Sequence, residues 1–74
     1  ISVSASAGIE EGDKAWYAKD YQTAYNEWKP LADNGNMEAI GNMALLYEGG
    51  YFVEKNEELA LKMHLIAANA GIQD

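Results

Sequence analysis

Apolar residues recur at helical spacing through the middle of the chain. They follow the i, i+3, i+4, i+7 pattern that lines one side of a helix, and they are Tyr21, Ala24, Tyr25, Trp28, Leu31 and Ala32. Asp20 precedes this stripe and can cap the helix, because its carboxylate accepts from the free N–H groups of the first turn. Gly35 suits the left-handed conformation that ends a helix. Pro30 removes one backbone hydrogen bond, so we expect a bend there, since the stripe continues beyond it.

A weaker helical pattern precedes this segment and a stronger one follows it. Over about residues 7–18 the apolar side carries Ile9, Gly12 and Trp16. Asn36 can cap the helix that follows, which we expect to run to about Glu48 and to end at the Gly49-Gly50 pair. One face of that helix holds Ile40, Met43, Ala44 and Tyr47.

The last predicted helix follows the connector "YFVEKN", residues 51–56. We expect the apolar residues of this connector to pack under the helices; the alternative is a short edge strand, for which no partner strand is evident. Asn56 can cap a helix that runs to about Ala70 and is closed by Gly71. The sequence therefore predicts an all-α fold, with four antiparallel helices in the order short, long, short, long.

An internal repeat explains the glycine turn at Asn34-Gly35. A shift of 36 residues brings identical or similar residues together at helix caps, close-contact alanines and the closing glycine. A period of this length is typical of helical-hairpin solenoids. The aligned pairs are Lys19 and Lys55, Asp20 and Asn56, Ala24 and Ala60, Tyr25 and Leu61, Ala32 and Ala68, Gly35 and Gly71, and Trp16 and Phe52.

The chain resembles the Sel-one-like repeat family, a longer relative of the tetratricopeptide repeat. The resemblance is carried by "EAIGNMALLYEGGYFVEKNEELALKMHLIAANAG", residues 38–71, and by the tetratricopeptide-like "GDKAWYAKDYQTAYNEWKPLADNG", residues 12–35. Two departures stand out: Ala44 lies where the family usually has glycine, and His64 replaces the aromatic residue that Trp28 supplies in the first unit. The resemblance implies an α-solenoid with a repeat domain over residues 8–74.

The units implied by the resemblance are about 8–35 and 36–71, with the start of a further unit at 72–74. We therefore expect a fragment, or a chain with an abbreviated last unit. Such repeats act as scaffolds that bind a protein or peptide on a concave face lined by the first helix of each hairpin. Carried over to this sequence, the binding positions are Asp13, Tyr17, Glu38, Asn42, Leu45 and Glu48. The alternative reading of these positions is a solvated helix face.

The last helix suggests a second function, as a structural self-association module. Apolar residues lie almost all round it, and such a helix is normally covered on two sides. A solenoid needs a neighbour or a polar cap at its end. We expect an edge formed by Leu61, Leu65 and Ile66 to pair with a second copy in a homodimer, with further repeats, or with a partner.

Charge and composition narrow the partner class. The formal net charge is −7, from 12 acidic residues and five lysines, with no arginine. Nucleic acid and anionic membranes are therefore not expected as partners. The acidic surface favours a basic partner, and the alternative is that the charge serves only solubility. There is no apolar run long enough for membrane insertion, and with no cysteine there is no disulfide or thiolate metal site.

Catalytic chemistry finds little support in the sequence, and no cofactor or metal is expected. His64 is the single histidine, and with Met63 and Leu65 beside it we expect it to be a packing residue. "EEGD", residues 10–13, lacks the alternating spacing of a calcium loop. Tyr21, Tyr25, Trp28 and Tyr47 lie on the core stripes. Adjacent helical residues point about 100° apart, so one of Trp16 and Tyr17 should lie at the surface, where an aromatic residue can anchor a partner.

The first seven residues, "ISVSASA", differ in composition from the rest. Ala5-Ser6-Ala7 fits the pattern before a signal-peptidase cleavage site, and an ordinary flexible N-terminus fits equally well. The first interpretation places the protein in the bacterial periplasm or outside the cell, and the second is compatible with the cytoplasm.

Overall fold

A computed structural model of the chain describes residues 8–72, with side chains described for 8–69. Within residues 8–72 there are four α-helices and no strand: α1 (Ile9–Tyr17), α2 (Tyr21–Asp33), α3 (Met37–Gly49) and α4 (Glu57–Ile72). Each helix packs against the next one along the chain. The all-α prediction is confirmed over this part of the chain. The finer arrangement, as two hairpin repeats of a solenoid, stays a prediction.

The turn between α2 and α3 is short because one residue serves both helices. Gly35 has a φ of +91°, and its N–H donates to the carbonyl of Ala32. The Asn36 N–H donates to the carbonyl of Leu31, which completes a Schellman motif. The Asn36 side chain then accepts from the N–H of Ala39 at 2.9 Å and caps α3. The end of one helix and the start of the next therefore share a single residue.

The turn between α1 and α2 has the same design without a glycine. Lys19 takes the left-handed position, with a φ of +63°, and its N–H donates to the carbonyl of Trp16. The Asp20 N–H donates to the carbonyl of Ala15 at 2.8 Å, while the Asp20 side chain accepts from the N–H of Thr23 at 3.3 Å. The predicted caps at Asp20 and Asn36 are therefore confirmed, and so is the cap at Asn56, whose side chain accepts from the N–H of Leu59.

The core centres on Trp28, which is 1% exposed. Ala15, Ala24, Met43 and Leu46 complete the buried cluster, so three helices contribute to it. The Trp28 indole lies directly against Gly12, and its Nε1–H donates to the carbonyl of Ile9 at 3.4 Å. Pro30 lies inside α2, which continues to Asp33 as predicted.

Two predicted details of the last third of the chain are wrong. Helix α4 continues through Gly71 to Ile72. A glycine costs a helix only about 1 kcal/mol, so it ends one only where the following residues supply a cap, as Asn36 does after Gly35. The connector is not packed under the helices as a whole: Val53 contacts the core, but Phe52 is 53% exposed. Phe52 has a φ of +66°, and this backbone turn directs it outward over Tyr25.

A single 36-residue register does not relate the helices. It matches α2 to α4, but it places Trp16 of α1 opposite Phe52, which lies in the connector. A shift of 29 residues matches Gly12 to Gly41 and Asp13 to Asn42 within α1 and α3. The alignment of Trp16 with Phe52 is therefore wrong. It fails because α3 is longer than α1 and because more residues separate α3 from α4 than separate α1 from α2.

The contact between Gly12 and Trp28 predicts unequal effects of two alanine substitutions. A Cβ at position 12 would lie 2.2 Å from the Trp28 Nε1, whereas a Cβ at Gly41 would meet only the Cβ of Ala67 at 3.6 Å, an ordinary contact. We expect Gly12→Ala to lower the free energy of unfolding by about 1–3 kcal/mol. Gly41→Ala should leave it unchanged or raise it by up to about 1 kcal/mol. Urea denaturation followed by circular dichroism measures both, and equal stability of the two variants would contradict this packing.

Candidate functional site

The predicted binding residues Asp13 and Asn42 meet across α1 and α3. The Asn42 Nδ2–H donates to Asp13 Oδ1 at 3.5 Å, and both side chains are half-buried. Gly12 brings α1 close to α2, so Asp13, the next residue, is placed by the same contact. The pair carries a carboxylate and an amide, which together can accept from and donate to a polypeptide backbone.

One helical turn further, Trp16 and Leu45 lie beside an open cavity of about 320 Å³. The turn corresponds to about 5 Å along each helix. Glu48, Gly49 and Tyr51 line the rest of this cavity. Leu45 is 36% exposed and Tyr51 is 39% exposed, so apolar and aromatic surface remains open to solvent there. We use the term α1/α3 face for Asp13, Asn42, Leu45 and this cavity.

The aromatic wall of the cavity is held in place by a cluster of rings. Tyr51 stacks on Tyr21 with centroids 4.5 Å apart, and Trp16 meets both rings edge-on at 5.4 Å. Trp16 also lies 6.1 Å from Trp28 in the core. Gly49 leaves room for the Tyr51 ring, because a Cβ there would overlap it. Tyr51 lies in the connector after α3, and its part in the site was not predicted from the sequence.

The other predicted binding residues lie at the edges of this face. Tyr17 is 82% exposed, and Trp16 beside it is half-buried, as expected for helical neighbours. Glu38 is exposed at the start of α3. Helix α3 carries Glu38 and Glu48 and no cation, so the α1/α3 face is acidic.

His64 is exposed, so the prediction of a packing role is wrong. Its Nε2 lies 3.2 Å from Glu48 Oε1, which links α4 to α3. The side chain is 44% exposed, because its position on α4 lies outside the strip that α3 covers. Trp28, at the equivalent position of α2, is buried because α1 also packs against α2. Within the described residues, Glu48 has no other hydrogen-bond partner.

The predicted edge of α4 is open to solvent. Leu61, Leu65 and Ile66 are 58%, 54% and 47% exposed. The 36-residue shift aligns Leu61 and Leu65 with Tyr25 and Lys29 of α2. Tyr25 and Lys29 are both half-buried, so the open residues of α4 are more exposed than their counterparts on α2.

A second groove lies between α2 and α4, and no sequence pattern predicted it. Its volume is about 370 Å³, and apolar side chains of α3 and α4, with Tyr47, form most of its lining. At its rim Lys29 donates to both oxygens of Asp33, at 2.8 and 2.9 Å. These hydrogen bonds raise the pKa of Lys29 above its ordinary value, so its charge stays matched to that of Asp33.

Neither protein-family models, nor curated proteins, nor solved structures gave a match to the chain. None of the described helices has the length and apolar character needed to cross a membrane. The Sel-one-like resemblance therefore stays a prediction.

A double-mutant cycle tests the Asp13–Asn42 contact. We expect Asp13→Ala and Asn42→Ala to be coupled by about 1 kcal/mol in the free energy of unfolding, because each removes the same hydrogen bond. The control cycle combines Asp13→Ala with Glu38→Ala. No hydrogen bond joins Asp13 and Glu38 among the described residues, so the two effects should be additive within about 0.5 kcal/mol. Equal coupling in the two cycles would mean that the hydrogen bond does not form in solution.

Proposed function

We propose that this chain is a scaffold module that binds a protein or peptide on its α1/α3 face, without a reaction of its own. The observation that carries the proposal is the juxtaposition of the Asp13–Asn42 pair with Leu45 and the aromatic cavity one turn away. Hydrogen-bonding groups beside an open apolar anchor site are the usual composition of a peptide-binding surface. The repeat arrangement and the Sel-one-like family belong to this proposal.

The charge of the face defines the ligand class. Asp13, Glu38 and Glu48 make it acidic, and the whole chain has a net charge of −7. A basic peptide would be attracted over a distance of about 10 Å at moderate salt and would gain hydrogen bonds from the Asp13–Asn42 pair. An apolar side chain of the peptide would rest against Leu45, which is 36% exposed.

Peptide binding is tested with two variants, in each of which glutamine replaces one exposed leucine. A displayed library of 12-residue peptides is selected against the chain, and the best peptide is titrated by calorimetry against Leu45→Gln and Leu65→Gln. We expect selected peptides rich in lysine, arginine and apolar residues. Leu45→Gln should weaken binding at least about fivefold, as at a central contact residue, while Leu65→Gln leaves it unchanged. Equal affinity for the two variants would contradict binding at the α1/α3 face.

A second candidate function is self-association through α4, favoured by the exposure of Leu61, Leu65 and Ile66 on one helix. An exposed apolar patch on a helix can be a contact between protein copies. Under this proposal the chain forms a homodimer, and its role is structural.

Sedimentation across a concentration series tests the dimer. We expect a dimer that dissociates on dilution and that Leu65→Lys abolishes. Lysine places a charge in the apolar contact while it reduces the net negative charge of the chain, so lost association would not reflect a higher overall charge. Leu45→Lys makes the same charge change on the other face and should preserve the dimer. A monomer at every concentration, or equal effects of both substitutions, would contradict this function.

A further inference from the structure

The cavity on the α1/α3 face combines groups that recognise an organic cation. Trp16 and Tyr51 supply aromatic rings, Glu48 supplies a carboxylate, and Leu45 and Gly49 complete the lining. A cation beside an aromatic face is attracted by the ring quadrupole, most strongly by tryptophan. A carboxylate on the same wall adds direct charge complementarity.

We propose that this cavity holds the cationic end of a lysine or arginine side chain carried by the bound peptide. The inference rests on the proposed function, and it names the residue class that anchors the ligand. The volume of about 320 Å³ is larger than a single such side chain needs, and the opening is toward solvent, so a side chain can enter from a peptide lying over Leu45.

The carboxylate of Glu48 is available for this contact. Its Oε1 lies 3.2 Å from the His64 ring, while Oε2 has no hydrogen-bond partner among the described residues. The side chain is 59% exposed and can turn toward the cavity without breaking a core contact. Trp16 and Tyr51 are held by their ring contacts with Tyr21, so the aromatic wall is formed before the ligand arrives.

The charge of the lining also favours a cation. Glu48 is the charged residue in the lining, and Glu38, at the other end of α3, has the same sign. An anion placed in the cavity would face the Glu48 carboxylate, whereas a lysine or arginine side chain would offset its charge. A neutral apolar side chain would fill the space but leave the Glu48 charge partly desolvated without a partner.

The test uses n-butylammonium, which reproduces the end of a lysine side chain, and n-butanol as a neutral probe of equal length. Nuclear magnetic resonance follows the Trp16 indole N–H and the Gly49 amide in the whole chain. We expect saturable shifts with butylammonium at several times lower concentration than with butanol. Glu48→Gln should weaken the butylammonium response about threefold or more, and Glu38→Gln, the same charge change outside the cavity, should affect it less. Equal responses to both probes, or equal effects of both variants, would overturn the inference.

A peptide arm separates this inference from the proposed function. A lysine of the selected peptide is replaced by norleucine, which keeps the alkyl chain and removes the charge. The cation site is supported if norleucine lowers the affinity for the wild-type chain and lowers the affinity for the Glu48→Gln variant by a smaller factor. Unchanged affinity overturns the inference while peptide binding itself survives. A butylammonium response without any peptide binding would instead support the cation site and contradict the scaffold function.

Discussion

The contact of Trp28 with Gly12 is the constraint on which the rest of the structure depends. No side chain other than hydrogen fits at position 12, so α1 lies directly on the indole of α2. Residues next to Gly12 along α1 then take their places as a consequence: Asp13 reaches Asn42, and Trp16 meets Tyr21 and Tyr51. Glycine inside a helix costs stability, and here the burial of Trp28 offsets that cost. The positions of the site residues on α1 are therefore set by the packing of the core.

The helices and their caps could be predicted from sequence because their signals are local. An asparagine or aspartate before an apolar stripe has one main structural role, and Asp20, Asn36 and Asn56 all perform it. The turn at Lys19 carried no such signal, since a lysine at positive φ is stabilised by its neighbours' hydrogen bonds and not by its own side chain. The predicted end of α4 at Gly71 was wrong because a glycine permits a helix to end but does not require it to end.

The candidate site was predicted only in part, because its geometry depends on which helices touch. Asp13, Asn42 and Leu45 were named through a family resemblance, and the structure brings them onto one face. Tyr51 was missed because a connector has no periodicity from which to read a direction. His64 was assigned to packing because its sequence neighbours are apolar, yet α3 covers too narrow a strip of α4 to bury it. The spacing of three residues from Asp13 to Trp16 and from Asn42 to Leu45 is the signal that could have revealed the paired helices.

The α1/α3 face and the exposed edge of α4 have different chemistry, so a ligand bound to one can be distinguished from a ligand bound to the other. The α1/α3 face is acidic and aromatic, whereas the α4 edge is aliphatic. Amide chemical-shift mapping of the chain with a selected basic peptide shows which of the two surfaces binds it. We expect shifts concentrated at residues 13, 16, 42, 45 and 48, with α4 affected only near His64. Shifts confined to Leu61, Leu65 and Ile66 would contradict it and would assign the binding surface to α4.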